Sequence, residues 1–98
     1  TSFEPFATDN YFEQYVYEKP TVFVVQGKEV VVTSRRLADA LANLSEQRRT
    51  VLLMNFFLSY SERKIGNEYG RSRSTVNYWK LAALKQLRKE LEETKHEE

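Results

Sequence analysis

The sequence predicts a mainly α domain of three to four helices built around a helix-turn-helix, with a small N-terminal β-hairpin. Three observations carry that expectation. Residues 61–88, SERKIGNEYGRSRSTVNYWKLAALKQLR, read as a short helix, a glycine turn and a longer basic helix. Two short β-branched runs, TVFVV and EVVV, flank Gln26-Gly27-Lys28. Between these two signals, leucines recur at helical spacing.

Taken in order, residues 1–19 are rich in aromatics and acids (Phe3, Phe6, Tyr11, Phe12, Tyr15, Tyr17) without a clear period, and Pro20 interrupts them. The valine runs that follow predict a β-hairpin with a glycine in its turn. Two strands alone are marginal in water, so this hairpin must pack on something. A helix is expected over 34–43, with Leu37, Leu41 and Leu44 on one face. Ser45 caps the next helix, which runs to about Leu58 and opens on Glu46, an acid suited to a helix N-terminus. In the motif itself, Ile65, Tyr69, Val76 and Trp79 hold two crossed helices together. Gly66 is small where the helices approach, and Gly70 sits where the turn needs a positive φ. Ser72 can accept from the first free N–H groups of the last helix. The expected organisation is an aromatic and acidic segment ending in the hairpin (1–33), a helix-turn-helix domain (34–91) and a frayed acidic tail (92–98).

Composition narrows the function. Ninety-eight residues make one small domain. Cysteine is absent, which removes disulfides and thiolate metal sites. No apolar run approaches a membrane span, and no basic-then-apolar leader opens the chain. A cytoplasmic, nucleoid-associated protein is the expectation. The chain starts at Thr1, so a processed protein or a segment of a longer one is expected. The net charge of +1 hides an asymmetry: residues 34–89 carry twelve Lys/Arg against four Asp/Glu, between acidic ends. A basic middle is the electrostatic footprint of a nucleic-acid site. No serine has a histidine partner at a recognisable spacing and no glycine-rich loop follows a strand, so neither catalysis nor a cofactor is expected. His96 and the acids around it read as solvated tail, with no metal site.

On a helical wheel of about 100° per residue, Val76, Trp79, Ala83, Leu87 and Leu91 fall on the core side of the last helix. Ser74, Tyr78 and Lys85 fall opposite, flanked by Asn77 and Arg88. A recognition helix presents its N-terminal outward residues to base edges in the major groove. Arg73, Ser74, Asn77 and Tyr78 occupy those positions. Arginine can bond bidentately to guanine and asparagine to adenine, while tyrosine reaches a phosphate or a thymine methyl. Arg71, Lys80, Lys85 and Arg88 are expected on phosphates, where they set register and salt dependence.

The run 44–88 resembles region 4 of bacterial RNA polymerase sigma factors of the sigma-70 type, the domain that reads the −35 promoter element. The matching segments are LSEQRRTVLLMNFF, the IG, the YG turn, SRSTV and the closing ALKQLR. The resemblance implies a winged-helix-like region 4 fold in which Arg73, Ser74, Asn77 and Tyr78 approach the bases. It also implies docking on the flap of the polymerase β subunit through apolar residues. The hairpin and first helix resemble the segment before region 4 in small sigma-like proteins of Gram-positive mobile elements.

This sequence also departs from the family. Arg71 stands where the motif usually has an aliphatic residue. Ser74, Asn77 and Tyr78 replace the glutamate, arginine and glutamine of housekeeping factors, so the consensus −35 hexamer is not the expected target. Nothing upstream resembles region 2, which implies a fragment of a larger factor or a partner protein that supplies promoter melting. Val51, Leu52, Met54 and Phe56 suit the core by analogy with the family. That leaves Leu53 and Phe57, spaced i, i+4, as a polymerase docking pair or as a patch covered by the hairpin.

Three function classes follow. The first is a promoter-recognition module acting with RNA polymerase in transcription initiation. The second is a stand-alone helix-turn-helix regulator that binds palindromic DNA as a dimer. The third is a region-4-like interaction domain bound by a sigma antagonist.

Overall fold

The structure, a computed structural model, describes residues 19–97; the aromatic and acidic stretch 1–18 lies outside them. Strands β1 (Thr21–Val25) and β2 (Lys28–Val32) pair antiparallel, Phe23 opposite Val30 and Val24 opposite Glu29. Gln26 and Gly27 close the hairpin with φ of 51° and 77°. Two successive positive φ values make the type I′ turn, whose twist matches that of the strands. The pleat then sends Val25, Val30 and Val32 inward and leaves Val22, Val24 and Val31 exposed.

Each helix begins where a serine can cap it. Ser34 accepts from the Leu37 N–H at the start of α1 (Arg35–Ala42), and Ser45 from the Arg48 N–H at the start of α2 (Glu46–Leu52). Ser61 accepts from the Lys64 N–H at 3.0 Å to open α3 (Glu62–Tyr69). Ser72 does the same for Thr75 at 3.2 Å as α4 (Arg73–Glu97) begins. Each such oxygen satisfies a donor that the helix leaves without a partner, a contribution of about 1 kcal/mol. Gly70 ends α3 in the left-handed region at φ 64°, as the turn requires. Gly66 makes room for the chain just beyond that turn: a Cβ there would lie 2.5 Å from the Arg71 carbonyl oxygen. The close approach is therefore between α3 and the turn backbone.

One apolar core joins every element. Val30 and Val32 of the hairpin, Leu41 of α1, Val51 and Leu52 of α2, Ile65 of α3, and Val76 and Ala83 of α4 belong to the same buried cluster. The hairpin thus obtains the packing partner that two strands need. At the other end α4 runs on through the acidic stretch to Glu97. Asn43 donates to the Glu90 carboxylate at 3.2 Å and Arg36 to the Leu91 carbonyl at 2.9 Å, which ties α1 to that end of the helix. Among the described residues no helix is long and apolar enough to cross a membrane.

The stretch after α2 departs from the sequence expectation. A π-helical turn, Leu53–Phe57, replaces the last α-helical turns, with the Leu58 N–H bonded to the Leu53 carbonyl at 3.0 Å. The wider turn changes which side chains face out. The segment also crosses the middle of the domain, so Val51, Leu52, Leu53 and Met54 are all buried in succession. Leu53, expected at the surface with Phe57, is 1% exposed and belongs to the core. Phe56, expected in the core, is 56% exposed, and it is Phe56 that lies beside Phe57 at the surface.

Candidate nucleic-acid interface

The first turns of α4 stand clear of the core on one side. Val76 is fully buried and Trp79 meets Tyr69 of α3 edge-on, with ring centroids 6.2 Å apart, which fixes how α4 rolls against α3. That roll leaves Arg73 and Ser74 exposed and Tyr78 the most exposed aromatic of the domain among the described residues. The four residues expected to meet bases are thus on one exposed end of one helix, with Asn77 half-buried at the edge of the group.

Lys85 and Arg88 lie further along the same outer side, about 16 Å from Ser74 by the helical rise for Lys85. Arg48 of α2 joins them at a basic groove also lined by Lys89. Arg48 is held there by a hydrogen bond to the Gln86 side chain. Arg71 is exposed in the turn. Lys85, Arg88 and Arg71 are therefore accessible to phosphates, and Arg48 adds a cation that sequence spacing did not single out.

Lys80 is placed differently. Its ammonium sits 2.9 Å from the Glu62 carboxylate and 5.8 Å from the centre of the Phe56 ring, and its side chain is only 21% exposed. Lys80, expected on a phosphate, is here engaged by a carboxylate within the protein. Glu62 also accepts from Asn77 Nδ2 at 2.8 Å and from Arg73 Nε at 3.5 Å. The hydrogen bond from Asn77 and then that from Lys80 hold its carboxyl well below the usual range, from 4.5 to about 2. It is ionised throughout the physiological range. Glu62 was not among the residues singled out from the sequence. Its visible signal was an acid at the first position of the supporting helix, one of two, with Glu68, in a basic motif.

Apolar side chains gather on another part of the surface. Leu37 of α1, Phe56 and Phe57 of the π-helical turn, and Leu84 and Leu87 of α4 line a shallow groove of about 200 Å³ with wholly apolar walls. Among the described residues no group of His, Cys, Asp and Glu could hold a metal ion.

A family model described as Sigma-70, region 4 matches residues 34–87. The match begins ten residues before the segment whose likeness was read from sequence motifs and so takes in α1, which packs against α4 in the same core. No curated protein matches the chain.

Proposed function

The chain belongs to the Sigma-70 region 4 family, a non-enzymatic DNA-binding domain of transcription initiation, and on that premise we propose that it reads a promoter element while docked on RNA polymerase. In this reading α4 enters the major groove of a −35-type element with Arg73, Ser74, Asn77 and Tyr78 against base edges. Lys85, Arg88, Arg71 and Arg48 set register on the phosphates. The apolar groove at Phe56 and Phe57 takes the β flap. No chemical step occurs on the protein. The observation that supports this reading most is the exposed first turn of α4, held off the core in a domain whose family match covers α1 to α3 and most of α4.

The test uses two partners, the isolated β flap and duplexes enriched by the chain from a randomised pool. Phe56→Asp/Phe57→Asp is expected to lose the flap and keep the duplex. Arg73→Ala is expected to weaken the enriched duplex by about 1–3 kcal/mol, relax one base position and leave scrambled DNA unchanged. Lys85→Ala should weaken both duplexes alike and flatten the salt dependence by about one phosphate's share. Equal losses for Arg73→Ala on both duplexes would remove it from the base-reading set. Enrichment of paired half-sites a helical turn apart, without flap binding, would favour the stand-alone dimeric regulator. Flap or antagonist binding without any duplex affinity would favour the interaction domain.

A further inference from the structure

We propose that Glu62, on the supporting helix, is a specificity-determining positioning residue: it orients Arg73 and Asn77 for base edges and withholds Lys80 from phosphates. This rests on the DNA-reading function proposed for α4. The three donors that converge on its carboxylate stand at positions 73, 77 and 80, which fall on one stripe of α4. The carboxylate itself is 13% exposed whereas the Arg73 side chain is 74% exposed. Glu62 therefore sits behind the reading face, at the floor of a depression lined by Arg73, Ser74 and Asn77.

The chemistry of each contact has a consequence for recognition. An ionised carboxylate only accepts, so Asn77 must turn its Nδ2 toward Glu62, and this fixes the orientation of the amide. The Oδ1 and the second N–H of that amide remain for the N6/N7 edge of adenine. Arg73 engages Glu62 through Nε, which leaves both terminal nitrogens of the guanidinium for guanine. Lys80 is a compact point charge that would attract any phosphate, and at 2.9 Å from Glu62 it is neutralised in place. Glu62 thus supports discrimination between sequences and lowers the affinity common to all DNA.

The experiment compares the 98-residue chain with Glu62→Gln and Lys80→Met on the enriched duplex and on a scrambled one, across a salt series, with thermal melting alongside. For Glu62→Gln the ratio of the two affinities is expected to fall about tenfold, because scrambled DNA binds more tightly, and the salt dependence on scrambled DNA should steepen by about one phosphate's share. For Lys80→Met, with Glu62 intact, the salt dependence is expected to stay as in the unsubstituted chain. A role in stability alone would lower the melting temperature of Glu62→Gln without moving the ratio or the salt dependence, and that result overturns the proposal. So does a flattened salt dependence in Lys80→Met, which would show a free phosphate contact and remains readable even if Glu62→Gln fails to fold. Failure of the unsubstituted chain to enrich any duplex would instead overturn the DNA-reading function on which the proposal rests.

Discussion

Leu53→Asp is expected to unfold the domain, while Phe57→Asp, four residues away, leaves it folded. Leu53 is 1% exposed between Leu52 and Met54, both equally enclosed, and it belongs to the cluster that joins the hairpin to α1, α2, α3 and α4. Truncation to alanine at such a site costs about 2–5 kcal/mol through lost transfer energy and the cavity left behind. An aspartate adds the desolvation of a carboxylate with no cation expected beside it, which exceeds the loss of packing. Domains of this size hold only about 5–15 kcal/mol in total, so Leu53→Asp removes most or all of it. Phe57 is 41% exposed at the rim of the apolar groove, and replacing it costs a fraction of that. Circular dichroism melts of the two variants check the contrast. A Leu53→Asp protein that melts like the unsubstituted chain would place that side chain outside the core. The contrast also decides how flap docking must be tested. Loss of binding in Leu53→Asp would report unfolding, whereas loss in Phe56→Asp/Phe57→Asp reports the surface.

Gly66→Val carries the second large effect. A Cβ at this position meets the Arg71 carbonyl oxygen at 2.5 Å, and backbone cannot swing aside as a long side chain would. The contact is held from both directions. The Arg71 N–H donates to the Gly66 carbonyl at 2.8 Å, and Gly70 at φ 64° fixes the path of the chain between them. A branched side chain must therefore push the turn away from α3. Overpacking of a closed contact costs about 3 kcal/mol, near the upper end for core insertions. The displacement also shifts the N-terminus of α4, where Arg73 and Ser74 lie, so duplex affinity should fall further than the melting temperature predicts. Urea denaturation and duplex titration of the same sample separate the two losses. Unchanged stability would mean that the turn is free to move, contrary to the capping geometry.

The features legible in the sequence are those whose causes lie within a few residues. Ser45 and Ser72, and likewise Ser34 and Ser61, cap helices because a serine oxygen reaches an N–H three residues on, a condition that needs no distant partner. Gly27 and Gly70 adopt positive φ where the turn chemistry asks for it. The roll of α4 could be read from its apolar stripe, since Val76 and Ala83 are fully buried and Tyr78 stands out. The charge asymmetry pointed to nucleic acid, and LSEQRRTVLLMNFF, SRSTV and the ALKQLR ending to the family that residues 34–87 match.

Three features depended on how the elements meet. Leu53 and Phe56 exchange their expected places because a π-helical turn interrupts the helical period and because the segment is enclosed on several sides, and a wheel assumes neither. What the hairpin packs on was settled only where its valines join Leu41 of α1 in one core. Glu62 is eleven residues from Arg73 and eighteen from Lys80, so its three contacts exist only at the crossing angle that Gly66, Tyr69 and Trp79 impose on α3 and α4. Caps, turns and apolar stripes are set by short-range sterics and hydrogen bonding along the chain. The pairing of a carboxylate with donors on another helix is set by the packing that brings the two helices together.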